Sequence, residues 1–220
     1  MDPVRLIVYS DYLCPWCHLA SHRLHRLEEE LGPALELEWR SYLLRPHPRG
    51  PQDPGEGRSL QRFVRYTQSW LRPAAEPDAP TFRVWESAEG PPTHSVPPHL
   101  VARAAARVSR SAFRQMHQRL LRAYFEESRD ISRLPVLGEL WRGLGLPPTG
   151  LAALDDPEEQ RALLEAVLAD HREAREISIT GVPAVRVAGT EAFVTGAQPL
   201  EVYRRWIGRL RDGVLEARSA

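Results

Sequence analysis

Hydrophobic residues near the N-terminus follow strand and helix periodicities in turn. The apolar run at 4–9 predicts a strand, and apolar positions three and four residues apart over 14–31 predict a helix that Gly32 and Pro33 end. Alternation of apolar and charged residues over 35–40 predicts a half-buried strand. The chain therefore opens with a predicted strand–helix–strand unit.

Helical periodicity dominates the middle of the chain. After a Pro- and Gly-rich connection at 45–58, apolar residues recur at helical spacing, with Ser111 as the predicted N-cap of one helix. Asp156, Pro157 and two glutamates predict the start of another helix, which continues to about 177. None of these helical faces groups side chains for chemistry, so their periodicity indicates the core of a helical bundle.

Strand patterns return after this helical block. Residues 184–187 and 192–194 predict two short strands joined by a turn, and Pro199 begins a predicted last helix. Because the strands at the two ends of the chain can complete one sheet, the helices between them are a predicted insertion. The sequence thus indicates an α/β fold with an inserted all-helical domain.

The composition narrows the choice of partners. The 220 residues carry 29 basic and 29 acidic side chains and no net charge, which gives no reason to expect binding to nucleic acid or to an anionic membrane. No apolar stretch approaches the ~18 residues that span a bilayer, and the N-terminus lacks the basic and apolar regions of a signal peptide. We therefore expect a cytoplasmic protein.

The two cysteines of the chain stand close together, at Cys14-Pro15-Trp16-Cys17, where the first strand runs into the first helix. A helix N-terminus offers unpaired N–H groups and a partial positive charge, both of which favour the thiolate that attacks disulfides. The spacing predicts thiol–disulfide exchange, in which Cys14 is the exposed, attacking thiol and Cys17 is the more buried, resolving one. Pro15 suits the first helical turn, and Trp16 provides an apolar lip for peptide or aromatic ligands.

Three other interpretations of the cysteine pair stay open. A structural zinc site needs four ligands, and His18 is the only close companion, so we expect no metal. A structural crosslink across so short a loop would add little stability. The third alternative is a pair of inert, buried thiols, although paired cysteines in the cytoplasm are usually catalytic or redox-sensing.

A second motif, Thr180-Gly181-Val182-Pro183-Ala184, stands directly before the third strand. Proline cannot donate a ladder hydrogen bond and so belongs at the beginning or edge of a strand. On the residues alone a trans peptide bond is favoured here, because cis is seen in only about 5–6% of X–Pro bonds.

The cysteine motif after the first strand, together with Gly181-Val182-Pro183 before a late strand, resembles thioredoxin-fold proteins of the DsbA type. This resemblance covers nearly the whole chain, and its nearest branch is the cytosolic FrnE-like oxidoreductases. The stretches that resemble this branch are Ser10 to Leu13, Thr93 to Leu100, Leu121 to Glu127 with Asp130 to Ser132, and Thr195 to Pro199.

The resemblance implies the architecture of the chain. A thioredoxin-like core is expected from residues 1–45 and 175–220, with 46–174 as the inserted helical domain. The helix near 157–177 is expected to bridge back to the core. Some members of the branch carry a second cysteine pair, which this chain lacks, so a relay to a second dithiol within the chain is excluded.

The resemblance also implies how substrates bind. The Val182–Pro183 bond is expected to be cis and to pack beside the thiols, where the backbone of Val182 pairs with an extended peptide. Pro15 and Trp16 complete the expected substrate-binding set. The expected partners are protein or peptide thiols and disulfides, with no bound cofactor and with glutathione as an optional co-substrate.

One residue departs from the family pattern. Thioredoxins and DsbA proteins carry a buried acid on the first strand, six positions before the first cysteine, and here that position is Val8. Asp11 is the nearest alternative acceptor for the proton of the second thiol, although a solvated loop residue or a helix cap fits it equally. His18 is a candidate for stabilising a thiolate by charge, but its default interpretation is a helix-surface histidine.

Two other functions remain open. Related thioredoxin-fold proteins with helical insertions, similar to 2-hydroxychromene-2-carboxylate isomerase, are glutathione-dependent isomerases that use Ser where this chain has Cys14. Two cysteines favour redox chemistry, whereas glutathione binding without oxidation would favour the isomerase. The non-enzymatic alternative is a chaperone or binding module that uses the apolar surface around Trp16. The motif itself does not separate an oxidant from a reductant or a disulfide isomerase.

Overall fold

A computed structural model describes residues 2–48, 56–88, 90–191 and 193–212. Both ends of the chain contribute strands to one sheet, and helices fill the sequence between them. The elements are, in order, β1 (Val4–Ser10), α1 (Pro15–Leu31), β2 (Leu35–Ser41), α2 (Glu56–Thr67), α3 (Leu71–Ala74), α4 (Val96–Val108), α5 (Arg110–Phe125), α6 (Leu134–Gly143), α7 (Pro148–Ala152), α8 (Pro157–Glu176), β3 (Ala184–Val187), β4 (Phe193–Thr195) and α9 (Leu200–Arg211). The predicted α/β fold with helices between its strands is confirmed.

The sheet has the order β2-β1-β3-β4, with β1 at its centre. β1 runs parallel to β2, pairing from Val4 with Leu35 to Ser10 with Ser41, and antiparallel to β3. β4 adds an antiparallel edge strand to β3. The carboxyl end of the central strand therefore points at the turn that carries the cysteines.

Alternation along β1 separates two layers of core. Leu6 and Val8 face α1 and α9, whereas Ile7 and Tyr9 face the opposite side, where the end of α8 packs. The first layer also contains Leu24, Leu27, Leu35, Leu37, Val185, Tyr203 and Ile207. Residues 6–9 are almost fully buried on both faces of β1, which explains the run of apolar and aromatic side chains there, whereas Arg5 at the start of the strand is exposed.

A larger hydrophobic cluster joins the helices of the middle segment. Its aromatic centre comprises Trp70, Trp85, Tyr124, Phe125 and Trp141, all almost fully buried. Tyr12 and Leu13, which directly precede the first cysteine, belong to this cluster rather than to the sheet core. The helical segment therefore packs directly against the cysteine turn.

The long helix α8 contacts both cores. Leu163 and Val167 lie in the helical cluster, while Ala174 lies under the sheet beside Tyr9. Its start is confirmed, because the Asp156 side chain accepts hydrogen bonds from the second and third helical residues. The predicted end near residue 177 is confirmed, since the helix ends at Glu176 with Ile177 as its C-cap.

Several predicted boundaries differ from the structure. The N-cap of α5 is Ser109, whose hydroxyl accepts from the amide of Ala112, so the prediction of Ser111 was wrong by two residues. β4 begins at Phe193, and residue 192 lies outside the described residues. So do residues 49–55 of the predicted 45–58 connection, residue 1, and 213–220 of the predicted core. Over the described ranges, no helix is long and apolar enough to cross a membrane.

Candidate active site

The cysteine motif lies in the turn that joins β1 to α1. Cys14 is the last non-helical residue, with extended backbone angles, and Pro15 opens the helix. The amide of Cys14 donates to the carbonyl of Asp11 at 3.2 Å, and the amide of Cys17 donates to the carbonyl of Cys14 at 3.0 Å. Both thiols are free and lie at the positively polarised end of α1, Cys14 at the N-cap position and Cys17 in the first turn.

The two sulfurs are both buried, but they have different neighbours. Cys17 has no exposed surface, and Cys14 is only 6% exposed, so the expectation of an exposed Cys14 is wrong. The segment before β3 covers it, and the Cys14 thiol donates to the carbonyl of Val182 at 3.4 Å. The Val182–Pro183 peptide bond is cis, and Pro183 is buried while Val182 is partly exposed. The structure therefore brings the two predicted motifs together.

Trp16 lies between the two cysteines and faces outward. Its side chain is 38% exposed, whereas most large hydrophobic residues in the described part of the chain are buried or partly buried. Leu44 and Tyr66 are also exposed, and both adjoin the cysteine turn. The amide of Leu44 donates to the Asp11 side chain. Burial raises the pKa of Tyr66, and the negative charge of a Cys14 thiolate raises it further. An apolar rim thus borders the first cysteine.

Burial raises the pKa of Cys17 well above its ordinary value. The neighbouring Cys14 sulfur raises this pKa further, whereas hydrogen bonds from the Ser10 hydroxyl and the Asp11 amide lower it. Cys17 is therefore a neutral thiol near pH 7 and must lose a proton before it can act as a nucleophile.

Asp11 is fully buried, which excludes the interpretation as a solvated loop residue. Its carboxylate accepts from the amides of Leu13 at 2.6 Å and Leu44 at 2.8 Å, so it ties the cysteine turn to the loop after β2. It does not cap α1, because the residue at the N-cap position is Cys14. Its second oxygen lies 3.9 Å from Nε2 of His99 on α4.

His18 is buried, so its interpretation as a helix-surface residue is wrong. Its ring stacks on Phe125 at 5.2 Å and meets the edge of Phe82 at 4.9 Å, because the helical segment covers this face of α1. Its Nε2 donates to the carbonyl of Thr81 at 3.4 Å. Burial lowers the pKa of His18 to about 3, so the ring is neutral near pH 7 and supplies no charge to a thiolate.

A group of buried polar side chains beside the cysteine turn was missed in the sequence. The Tyr12 hydroxyl lies 3.0 Å from Nδ1 of His117, and Oγ of Ser21 lies 2.9 Å from Nε2 of the same ring. The ring of His99 packs edge-on against Tyr12 at 4.7 Å. The only available signal was the occurrence of Ser10 and His117 in otherwise apolar patterns. No three His, Cys, Asp or Glu side chains of the described residues are grouped as metal ligands.

A strand–turn–helix dithiol beside a cis-proline segment, with helices inserted after the second strand, places the chain in a known class. Residues 5–208 match the DSBA-like thioredoxin domain, and the chain belongs to that family. YwbO of Bacillus subtilis, an uncharacterized protein, is 27% identical over 210 residues, which are 93% of this chain and 96% of YwbO.

Solved structures show the same fold. A probable DsbA oxidoreductase from Streptomyces coelicolor is 25% identical, with a TM-score of 0.72 over 99% of this chain and 93% of that one. The cytosolic disulfide reductase DsbM of Pseudomonas aeruginosa, determined with glutathione, is 22% identical, with a TM-score of 0.60 over 96% and 99%. A 2-hydroxychromene-2-carboxylate isomerase is 15% identical, with a TM-score of 0.60 over 96% and 100%. The last two similarities concern the fold alone.

Proposed function

We propose that this protein is a cytoplasmic thiol–disulfide oxidoreductase of the FrnE-like branch, acting on protein or peptide substrates. The observation that carries the proposal is the placement of Cys14, whose sulfur lies at the start of α1 and 3.4 Å from the Val182 carbonyl. Cys17 lies one turn further in and is fully buried, and its pKa is raised by burial and then by the neighbouring Cys14. This is the arrangement that a two-step exchange requires.

The chemistry follows from these surroundings. A Cys14 thiolate attacks a substrate disulfide, one substrate sulfur leaves as a thiolate, and a mixed disulfide forms. Cys17 then loses its proton and attacks the Cys14 sulfur, which breaks the mixed disulfide and releases the second substrate thiol. The substrate is reduced by two electrons and the Cys14–Cys17 pair becomes a disulfide. The reverse sequence delivers a disulfide to a substrate.

The surface around Cys14 suits an extended peptide. The partly exposed Val182 offers backbone polar groups beside the sulfur, the geometry used when a peptide adds to a strand edge. Trp16, Leu44 and Tyr66 provide exposed apolar contacts nearby. We propose Pro15, Trp16, Val182 and Pro183 as the substrate-contacting set, in agreement with the family resemblance. Glutathione is proposed as a small co-substrate, supported by its presence with DsbM.

We propose that the chain is divided into a core and an inserted domain. Residues 1–45 and 175–220 are proposed as the thioredoxin-like core, and 46–174 as the inserted helical domain. The separate hydrophobic clusters of sheet and helices support this division. The packing of α8 against the helical cluster through Leu163 and Val167, and against the Ile7 and Tyr9 face of the sheet through Ala174, supports its role as the bridge.

Trapping of the intermediate tests the function. Cys17→Ser is expected to accumulate a mixed disulfide at Cys14 when mixed with a disulfide-bonded peptide, as seen by non-reducing mass spectrometry. Cys14→Ser is expected to form no adduct and to lose activity, and the double variant serves as the blank. Turnover by Cys17→Ser at the rate of the unmodified protein would contradict the dithiol mechanism. Glutathione binding by calorimetry with no oxidation of either thiol would favour the isomerase instead.

A further inference from the structure

Cys17 must lose its proton before it can resolve the mixed disulfide, and some group must accept that proton. The inference below rests on the proposed dithiol exchange. Cys17 is fully buried, and burial raises its pKa. The strand position where related proteins carry a buried acid is Val8, whose side chain is fully buried in the apolar layer under α1. The proton must therefore leave by a route that does not use this position.

Ser10 stands where such a route can begin. Because side chains alternate along a strand, Leu6, Val8 and Ser10 project to the same face of β1. Ser10 lies one step further along this row, at the end of the strand next to the cysteine turn. It is buried, and a hydrogen bond from its hydroxyl partly offsets the rise that burial causes in the pKa of Cys17. A hydroxyl can accept one proton while it donates another.

A small cavity adjoins Ser10 on the side of the helical segment. Its volume is about 20 Å³, which is enough for one water molecule. The lining includes Ser10, Tyr12, Ser41 and His99, so a water there has the two or more polar partners that it needs. The cavity thus connects the Cys17 side of β1 to a histidine of α4.

The two histidines at this cavity differ in how their nitrogens are engaged. Both nitrogens of His117 have partners, the Tyr12 hydroxyl and the Ser21 hydroxyl. Nε2 of His99 is buried, yet it has no hydrogen-bond partner among the described residues. It lies 3.9 Å from Oδ2 of Asp11, within the range of an ion pair. A buried, unpaired ring nitrogen at a cavity of this size points to a bound water.

We propose that the Cys17 proton leaves through the Ser10 hydroxyl and one water molecule in this cavity to Nε2 of His99, with Asp11 stabilising the resulting imidazolium. Ser10 accepts the thiol proton and passes its own to the water, which passes one to His99. The Cys17 sulfur bonds to Cys14, and the electron pair of the broken disulfide leaves on the substrate thiolate. The inserted helical segment thereby contributes a positioning residue to the redox reaction.

The other ionisable groups around His99 are less suited than His99 to accept the Cys17 proton. Burial lowers the pKa of His117 well below its ordinary value, so this ring stays neutral. Arg40 and Arg103 line the cavity but pair with Glu173 and Asp170. His171 on α8 carries a lowered pKa, and its Nδ1 accepts from the amide of Leu43. The groups that face His99 are thus Asp11, Tyr12, Arg40, Arg103, His117 and His171.

A two-phase reaction tests the route. The reduced protein is mixed with dithiobis-nitrobenzoate in a stopped-flow instrument, where attack by Cys14 releases one coloured thiolate and attack by Cys17 releases the second. His99→Gln is expected to leave the first phase unchanged and to slow the second by about 10- to 100-fold near neutral pH. The rate of this second phase in His99→Gln is then expected to increase steadily with pH. In alkali it is expected to approach the rate of the unmodified protein, because hydroxide replaces the missing proton acceptor. A purely structural role would leave this pH profile unaltered.

Matched variants separate the outcomes. His117→Gln removes a buried ring that the route does not use and is expected to keep the second-phase pH profile. Ser10→Ala is expected to behave as His99→Gln does, and Ser21→Ala is its buried-serine control. An unaltered second phase in both His99→Gln and Ser10→Ala, or a slow one in Ser10→Ala alone, would overturn the proposal. Release of only one thiolate by the unmodified protein would overturn the dithiol function and the route with it.

Discussion

The Cys14 sulfur lies 3.4 Å from the carbonyl oxygen of Val182, while Cys17 is fully buried and burial raises its pKa. The first sulfur therefore faces the segment where a peptide backbone is proposed to bind, and the second faces the protein interior. Attack on a substrate and resolution of the intermediate are thus assigned to sulfurs with different surroundings.

This difference predicts selective alkylation. Iodoacetamide at neutral pH is expected to modify Cys14 first, because Cys17 has no exposed surface and burial raises its pKa. Modification of Cys17 is expected to become appreciable only as the pH rises toward that elevated pKa. Peptide mass spectrometry over a time course measures both rates. Equal labelling of the two cysteines in the folded protein would contradict the assignment.

The exposed indole of Trp16 is predicted to serve substrate binding rather than redox tuning. Trp16→Ala is expected to lower kcat/KM for peptides with aromatic or aliphatic residues beside the disulfide, because a large apolar contact is lost. The reduction potential and the rate with a small polar disulfide are expected to change little. Leu134→Ala removes another exposed apolar side chain, on α6, and is the control that is expected to leave peptide kinetics unchanged. Equal losses in the two variants would refute a specific contact.

The neutral His18 is predicted to make the fold sensitive to acid. Its pKa is about 3 in the folded protein and ordinarily 6.5, so the unfolded chain takes up a proton as the pH falls through 6.5 while the folded protein does not until near 3. Stability is therefore present above pH 6.5 and is lost progressively below it. His18→Leu is expected to reduce proton uptake on unfolding near pH 5 by about one. Urea unfolding at several pH values measures this slope, and an unchanged slope would contradict the prediction.

Arg23 is predicted to hold the segment before α9 to the helical part of the molecule. Its side chain is almost fully buried and donates to Asp78, Glu76 and the carbonyls of Ala197 and Gln198. Replacing it with methionine would leave two carboxylates and two carbonyls without their donor. Since Asp78 and Glu76 remain partly solvated, the expected loss in free energy of unfolding is about 2–4 kcal/mol, somewhat less than the loss on breaking a fully buried ion pair.

Arg204→Met is the matched control for this substitution. Arg204 also pairs with two carboxylates, Glu30 and Glu201, but at the surface, where ion pairs contribute little. Denaturant unfolding of both variants is expected to show a large loss for Arg23→Met only. Similar losses in both would mean that the buried contacts of Arg23 do not stabilise the fold.

The parts of the fold that depend on neighbouring residues could be predicted from the sequence. The strand β3 formed over the predicted residues, because alternation and the preceding proline are local signals. The same holds for α8, whose cap residue Asp156 bonds to the next turn. The N-cap of α5 was misplaced, since Ser109 and Ser111 are chemically equivalent candidates and only the backbone geometry distinguishes them.

The cysteine pair could be predicted for the same reason, whereas its surroundings could not. The burial of His18 depends on Phe82 and Phe125, which come from distant parts of the chain. The approach of His99 to Asp11 likewise depends on how the inserted helices pack on the cysteine turn. Periodicity predicts that a helix has a buried face, but it does not say which side chain of another element that face will contact.

The central claim is that Cys14 and Cys17 form one two-electron redox couple, and equilibration in glutathione buffers tests it most directly. Alkylation of the remaining thiols and intact mass spectrometry then count the reduced cysteines at each potential. We predict one transition between doubly alkylated and unalkylated protein, with a tenfold change in ratio per about 30 mV and a midpoint between about −120 and −270 mV. Two cysteines that stay alkylated at every potential, or a dominant form with one alkylated thiol and one bound glutathione, would contradict the claim.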